Sequence, residues 1–196
     1  ILLGLVGSEM CIRDRSITKL RKSKEKREKP IIDKKVLTAW NALTAIGMSN
    51  AFQSTGEKKF IEKAVDIVSA IEENLINNDL TVKRSLSISN ENILFLEDYS
   101  YLISAYLSLY QSTFNYDFID KADALSKKAI AIFADKNSSF LKFSSDQSLL
   151  FSENLFVNQD GVVPSSNSVM CKNLFLLSHH TAVSYTHLTL PTIREV

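Results

Sequence analysis

The chain has 196 residues, with 23 Lys and Arg against 22 Asp and Glu, a net charge of +1, and 45% apolar residues. That length supports a core without staples, the near balance of charge argues against a dedicated nucleic-acid binder, and no apolar run approaches the ~18 residues a membrane span needs. Cys11 and Cys171 form no CxxC pair, which removes a disulfide scaffold and a cysteine-built metal site as defaults.

The two ends read as foreign to the rest. ILLGLVGSEMCIRDR at the start and AVSYTHLTLPTIREV at the end resemble translated sequencing-adapter read-through. The expectation is artefactual or disordered tails over 1–15 and 183–196, enclosing one domain over 16–182. A weak signal peptide is the alternative for the start, but it lacks a charged n-region. From Lys19 to Lys35 the chain is basic, with a net charge of +6. A solvated linker or surface helix suits this run better than a polyanion patch, because no aromatic residue interrupts it to stack on a base.

Five helices follow. Thr38 to Gln53 reads as helix, with Val36 just ahead of it and Trp40, Leu43 and Gly47 within it recurring at spacings of three and four, and turns at Ser54-Thr55-Gly56. Glu57 to Leu75 has Phe60, Ala64, Val68, Ile71 and Leu75 on one face. Glu97 to Ser112 has Tyr99, Leu102, Tyr106 and Tyr110. Asp117 to Phe133 has Phe118, Ala122, Leu125 and Ala129. A last helix starts near Pro164 or Ser165 and runs to about His180, with Met170, Leu174 and Leu177 on its face. The first pair resembles the second at an offset of 58 residues: Ser54-Thr55 falls on Ser112-Thr113, Phe60-Ile61 on Phe118-Ile119, and Lys63-Ala64 on Lys121-Ala122. Such repetition implies stacked αα-hairpins. Turns within hairpins are short. The connections 76–94 and 134–163 are long, and Thr81 to Arg84 and Phe140 to Phe143 suit short β-ribbons.

The odd-numbered helices of this array each open on a polar cluster: Asp33 ahead of Trp40-Asn41, then Glu97-Asp98-Tyr99, then Pro164-Ser165-Ser166-Asn167-Ser168. If the hairpins repeat, the three clusters share one end of one layer. Helix N-termini present unpaired N–H groups and the positive dipole end, where carboxylates and polar ligands are stabilised. Carboxyl pairs perform acid and base work on glycosidic bonds. Trp40 and Tyr99 offer faces on which a sugar ring stacks, and Asn41 and Asn167 offer hydrogen bonds to hydroxyls. Glu97 and Asp98 point about 100° apart on a helix, so Asp33 or Asp160 is expected to complete the acid/base pair. His179-His180 read as helix-end histidines. No zinc spacing, HExxH, GxGxxG, Walker loop or GxSxG occurs.

DKKVLTAWNAL at Asp33 to Leu43, FLEDYSYLISAYLSLYQSTF at Phe95 to Phe114, and PSSNSVMCKNL at Pro164 to Leu174 resemble the C-terminal helical region of the thioredoxin-domain-containing YyaL and spermatogenesis-associated protein 20 family. The resemblance spans about Lys19 to Thr181. It implies an all-α fold, a fragment of an (α/α)6 toroid like six-hairpin glycosidases and N-acylglucosamine 2-epimerases. It also implies a missing N-terminal thioredoxin-like domain and further toroid hairpins as partners of this segment, a saccharide ligand, and a cytoplasmic protein with no cofactor, metal, nucleic acid or membrane. On it, Asp33, Glu97 and Asp98 map as catalytic, and Trp40, Asn41, Tyr99, Ser165, Asn167 and Ser168 as substrate-binding. Three positions depart from the family pattern: Lys34 stands where a second acid is usual, and Ala42 and Ser166 each replace a glycine. The other reading is a non-catalytic helical scaffold for a redox domain or protein partner.

Overall fold

A computed structural model describes residues 2–30, 32–86, 93–145 and 156–180, with side chains described from residue 12 onward. The segment 183–196, expected to be foreign, lies outside the described residues. The chain divides into two compact units, Ile1–Lys34 and Lys35–Val196. The first holds α1 (Leu2–Glu25), whose described residues are almost all exposed, as is the basic run that follows it.

The second unit is built from α2 (Thr38–Thr55), α3 (Lys58–Leu75), α4 (Leu96–Thr113), α5 (Asp117–Phe133) and α6 (Ser166–Ser178). Helices α2 and α3 form one hairpin, and α4 and α5 the next. Helix α4 lies between α2 and α6 and packs on α3 and α5 as well. The layer α2–α4–α6 is therefore backed by α3 and α5. The two backing helices are amphipathic: α3 buries Ala64, Val68, Ile71 and Leu75, and α5 buries Ile119, Ala122, Leu125, Ala129 and Phe133. Helix α4 is enclosed on nearly every side from Leu96 to Leu109, so its sequence lacks a continuous polar stripe. The Tyr99 and Phe133 rings, both buried, meet edge to face with centroids 5.5 Å apart, where the start of α4 packs on the end of α5.

The internal repeat is visible bond by bond. Gly56 N–H donates to Phe52 O and Phe114 N–H to Tyr110 O, both at 2.7 Å, closing the two hairpin turns in the left-handed region. Lys83 N–H donates to Leu75 O and Lys142 N–H to Phe133 O, both at 2.8 Å. Thr38 N–H donates to Arg84 O and Leu96 N–H to Phe143 O, both at 3.0 Å. Each long connection thus returns over the end of its own outer helix, then supplies a carbonyl to the start of an inner one.

Two expectations change. The β-ribbons reduce to isolated antiparallel bridges, among them Ile76 with Val82 and Phe95 with Ser144; no strand forms among the described residues. Each loop has only one or two positions facing a partner before it must turn onto the next helix. On α2, Trp40 and Gly47 are exposed, and the buried face is Thr38, Ala39, Ala42, Ala45 and Ser49. Small residues let α2 approach α4 closely, and Ser49 Oγ reaches Ser108 O at 2.9 Å across that seam.

Candidate functional site

The N-termini of α2, α4 and α6 lie at one end of their layer and are tied to one another. Helix α2 begins at Leu37, which has no side-chain cap of its own. Asp98 of α4 supplies one: its Oδ1 accepts the Ala39 N–H at 3.1 Å. On the other side, Ser100 Oγ donates to Ser166 O at 3.1 Å, Tyr101 Oη to Pro164 O at 2.6 Å, and Asn173 Nδ2 to Ser100 O at 2.7 Å. The shared-end arrangement expected of Trp40, Glu97 and Asn167 rests on these bonds.

Asp98 is the most unusual group there. Its side chain is 1% exposed, and burial pushes its carboxyl up to about 7, against the opposing pull of Arg84 and the Ala39 N–H. Arg84 Nη1 stands 3.6 Å from Asp98 Oδ2, beyond hydrogen-bond reach, and neither atom has another hydrogen-bond partner among the described residues. The other arm, Nη2, pairs with Glu97 Oε2 at 3.3 Å. The guanidinium also lies over the Phe95 ring, 4.5 Å from its centroid.

The remaining expected residues divide by exposure. Trp40 is 67% exposed and follows directly on the Ala39 that Asp98 holds. Ser168 is also exposed. Asn41 Nδ2 donates to Leu37 O at 2.8 Å, within its own helix start. The Tyr99 ring is fully buried, and its hydroxyl accepts from Val82 N–H at 3.0 Å and donates to Leu80 O at 3.2 Å. Burial pushes that phenol up to about 12. Asn167 likewise holds a loop: Oδ1 accepts from Leu141 N–H at 2.9 Å, and Nδ2 donates to Leu141 O and Val157 O, each at 3.0 Å. Ser165 caps α6 by accepting from Ser168 N–H at 3.2 Å, and its own N–H donates to Asp160 Oδ1 at 2.8 Å. These bonds hold the Asp160 carboxyl below its usual range, the Ser165 N–H contributing most. Asp33 belongs to the first unit, where it is exposed; the site described here is built from the second unit alone.

Arg84 was hidden in the sequence, where it ends an alternating loop segment. Its role follows from the loop's return onto α2 and α4, a tertiary event with no local signal. Among the described residues no group of three His, Cys, Asp or Glu is placed to hold a metal ion.

A layer of inner helices backed by outer ones, with polar N-termini gathered at one end, defines the class: an all-α protein carrying part of an (α/α)6 toroid. Solved structures agree. The GH76 α-mannanase of Bacteroides thetaiotaomicron matches with a TM-score of 0.64 at 14% identity, over 84% of this chain and 43% of that one. The cellobiose 2-epimerase of Spirochaeta thermophila matches with a TM-score of 0.60 at 13% identity, over 79% and 42%. A variant of the GH76A α-1,6-mannanase of Salegentibacter, inactive with two consecutive aspartates replaced and bound to α-1,6-mannotriose, matches with a TM-score of 0.58 at 10% identity, over 76% and 43%.

No family model matches the chain. Among curated proteins, it is 29% identical to Caenorhabditis elegans protein B0495.5 over 79% of this chain. It is 24% identical to mouse spermatogenesis-associated protein 20 over 84% of this chain. It spans 22% of the length of each of these relatives. The resemblance carried by the three sequence segments therefore holds: the chain is similar to the spermatogenesis-associated protein 20 proteins over most of its length, and its fold is part of an (α/α) toroid.

Proposed function

We propose that this segment contributes one wall of a saccharide-binding cleft in a carbohydrate-active toroid of glycosidase or epimerase type. The observation that carries the reading is the placement of an exposed tryptophan, Trp40, beside a consecutive acid pair, Glu97-Asp98, at the shared end of the inner helices. Trp40 supplies the stacking face, and Ser168 and Asn41 lie on the same end for hydroxyl contacts. Glu97 is the carboxylate that reaches the open side. Asp98, buried and raised toward neutrality, is suited to hold a proton behind Glu97 while its Oδ1 fixes the start of α2. That a toroid mannanase is inactive once two consecutive aspartates are replaced supports looking to this pair. Tyr99, Ser165 and Asn167 act by fixing the walls rather than by touching ligand. A thioredoxin-like domain elsewhere in the parent protein and a cytoplasmic setting belong to the same proposal.

The test is a titration of α-1,6-mannotriose, and separately of cellobiose, read by the emission of Trp40, the single tryptophan. A saturable change that Glu97→Gln weakens about tenfold supports the reading. No response to either sugar at millimolar concentration sinks it.

The second reading, a non-catalytic scaffold, is favoured by one specific fact. Asp98, Tyr99 and Asn167 all spend polar atoms on holding backbone. On that reading, substitution at Glu97 leaves sugar titrations untouched, and substitution at Asp98 changes stability alone.

A further inference from the structure

We propose that Arg84 is a positioning residue for the acid pair, its guanidinium fixing Glu97 on the open side and facing Asp98 on the buried side. The inference rests on the acid-pair reading above and adds a residue to it. Three contacts define the geometry: Glu97 Oε2 at 3.3 Å, Asp98 Oδ2 at 3.6 Å, and the Phe95 ring centroid at 4.5 Å. A planar fork resting on an aromatic face keeps both arms directed, which a lysine on a flexible stem does not do.

The internal repeat shows that the fold does not demand this cation. Arg84 O accepts Thr38 N–H, and at the matching place in the next hairpin Phe143 O accepts Leu96 N–H at the same 3.0 Å. The backbone duty is identical, yet one repeat carries a guanidinium and the other a benzyl group. Arg84 is therefore surplus to the loop's structural task. It stands where Asp98 would otherwise face no cation.

The groups around Asp98 are Arg84 from the α3–α4 connection, Glu97 and the Tyr99 phenol from α4, and the N–H end of α2 at Ala39. Asp79 acts one step away, on the Tyr99 phenol. Removing Arg84 leaves Asp98 with the Ala39 N–H alone to favour its charged form.

The experiment follows the Asp98 carboxyl by carbon-detected NMR across a pH series, in the protein and in Arg84→Phe, Arg84→Gln and Arg84→Lys. Arg84→Phe copies the residue the second repeat uses. Arg84→Gln keeps polarity and serves if the phenylalanine variant fails to fold. The expected result is a proton affinity at Asp98 about tenfold higher in the neutral variants, with Arg84→Lys, which restores the charge but not the fork, recovering only part of the difference. A parallel shift in the pH profile of Trp40 emission is expected, since Asp98 holds the residue before it. Loss of packing alone would not respond to restored charge. An unchanged Asp98 affinity in a folded neutral variant overturns the proposal. No sugar is added, so absence of mannotriose binding would remove the saccharide reading and leave this result standing.

Discussion

Asp98 Oδ1 accepts the backbone N–H of Ala39 at 3.1 Å, so that one helix is capped by a residue 59 positions away on another. The bond fixes α2 against α4 at the end where Trp40 is exposed. It also removes a carboxyl from water, and that has a consequence for stability.

Burial raises the Asp98 carboxyl from the ordinary carboxylate range to about 7. Between about pH 4 and pH 7 the unfolded chain has released this proton while the folded chain keeps it. Stability therefore falls as pH rises through that window and levels off above it. The slope belongs to one group, so Asp98→Asn is expected to flatten thermal melting temperature across pH 4–7. An Asp98→Asn protein that keeps the full wild-type slope would show that other groups cause it.

Phe114 occupies the left-handed region at φ 57°, at the turn position where the first hairpin has Gly56 at φ 72°. Its side chain is 76% exposed, although its ring lies edge-on to Tyr110. Relief of the backbone outweighs a weak exposed contact, so Phe114→Gly is expected to stabilise the protein by about 0.5–1 kcal/mol in calorimetry. A lower melting temperature would contradict this.

Tyr99→Phe keeps the buried ring and its contact with Phe133, but strands the Val82 N–H and the Leu80 carbonyl. A loss of about 1–3 kcal/mol is expected. Hydrogen exchange localises the effect: the Val82 amide should exchange faster, while amides in the middle of α5 change only as global stability does.

Asn167→Ala removes three hydrogen bonds that join α6 to Leu141 and Val157. A cost of about 2–4 kcal/mol follows if each contributes its usual ~1 kcal/mol and buried backbone is left bare. Proteolytic nicking near residue 141 is the check, since the loop loses its anchor before the helices do. Wild-type resistance to nicking would place the anchor elsewhere.

The amphipathic helices were legible because they obey a local rule. Helices α3 and α5 bury one face each, so their apolar residues recur at three and four, and the 58-residue offset appears as matching letters. The one-sided rule fails for α2, which packs on α3 along one side and on α4 along another. Its true α4-facing surface is alanine and serine, residues too small to register as a stripe, and the large Trp40 in the apparent stripe is turned outward. The three N-terminal clusters could be read as sharing an end, because a repeat of hairpins forces every second helix to start on the same side.

What the residues do at that end is decided elsewhere. Tyr99 and Asn167 read as ligand contacts from composition, yet each spends its hydrogen bonds on a loop that returns from a distant point in the chain. Arg84 carries no local mark at all. By itself the sequence determined helices α2 to α6, their pairing and the end on which polar groups collect, since these follow from periodicity and connection length, whereas α1 over the expected tail was not foreseen. Only the tertiary structure decided which polar atoms stay open and which are consumed. A hydrogen bond across 59 residues depends on loop paths and helix packing, and neither is encoded in the residues next to the atoms it joins.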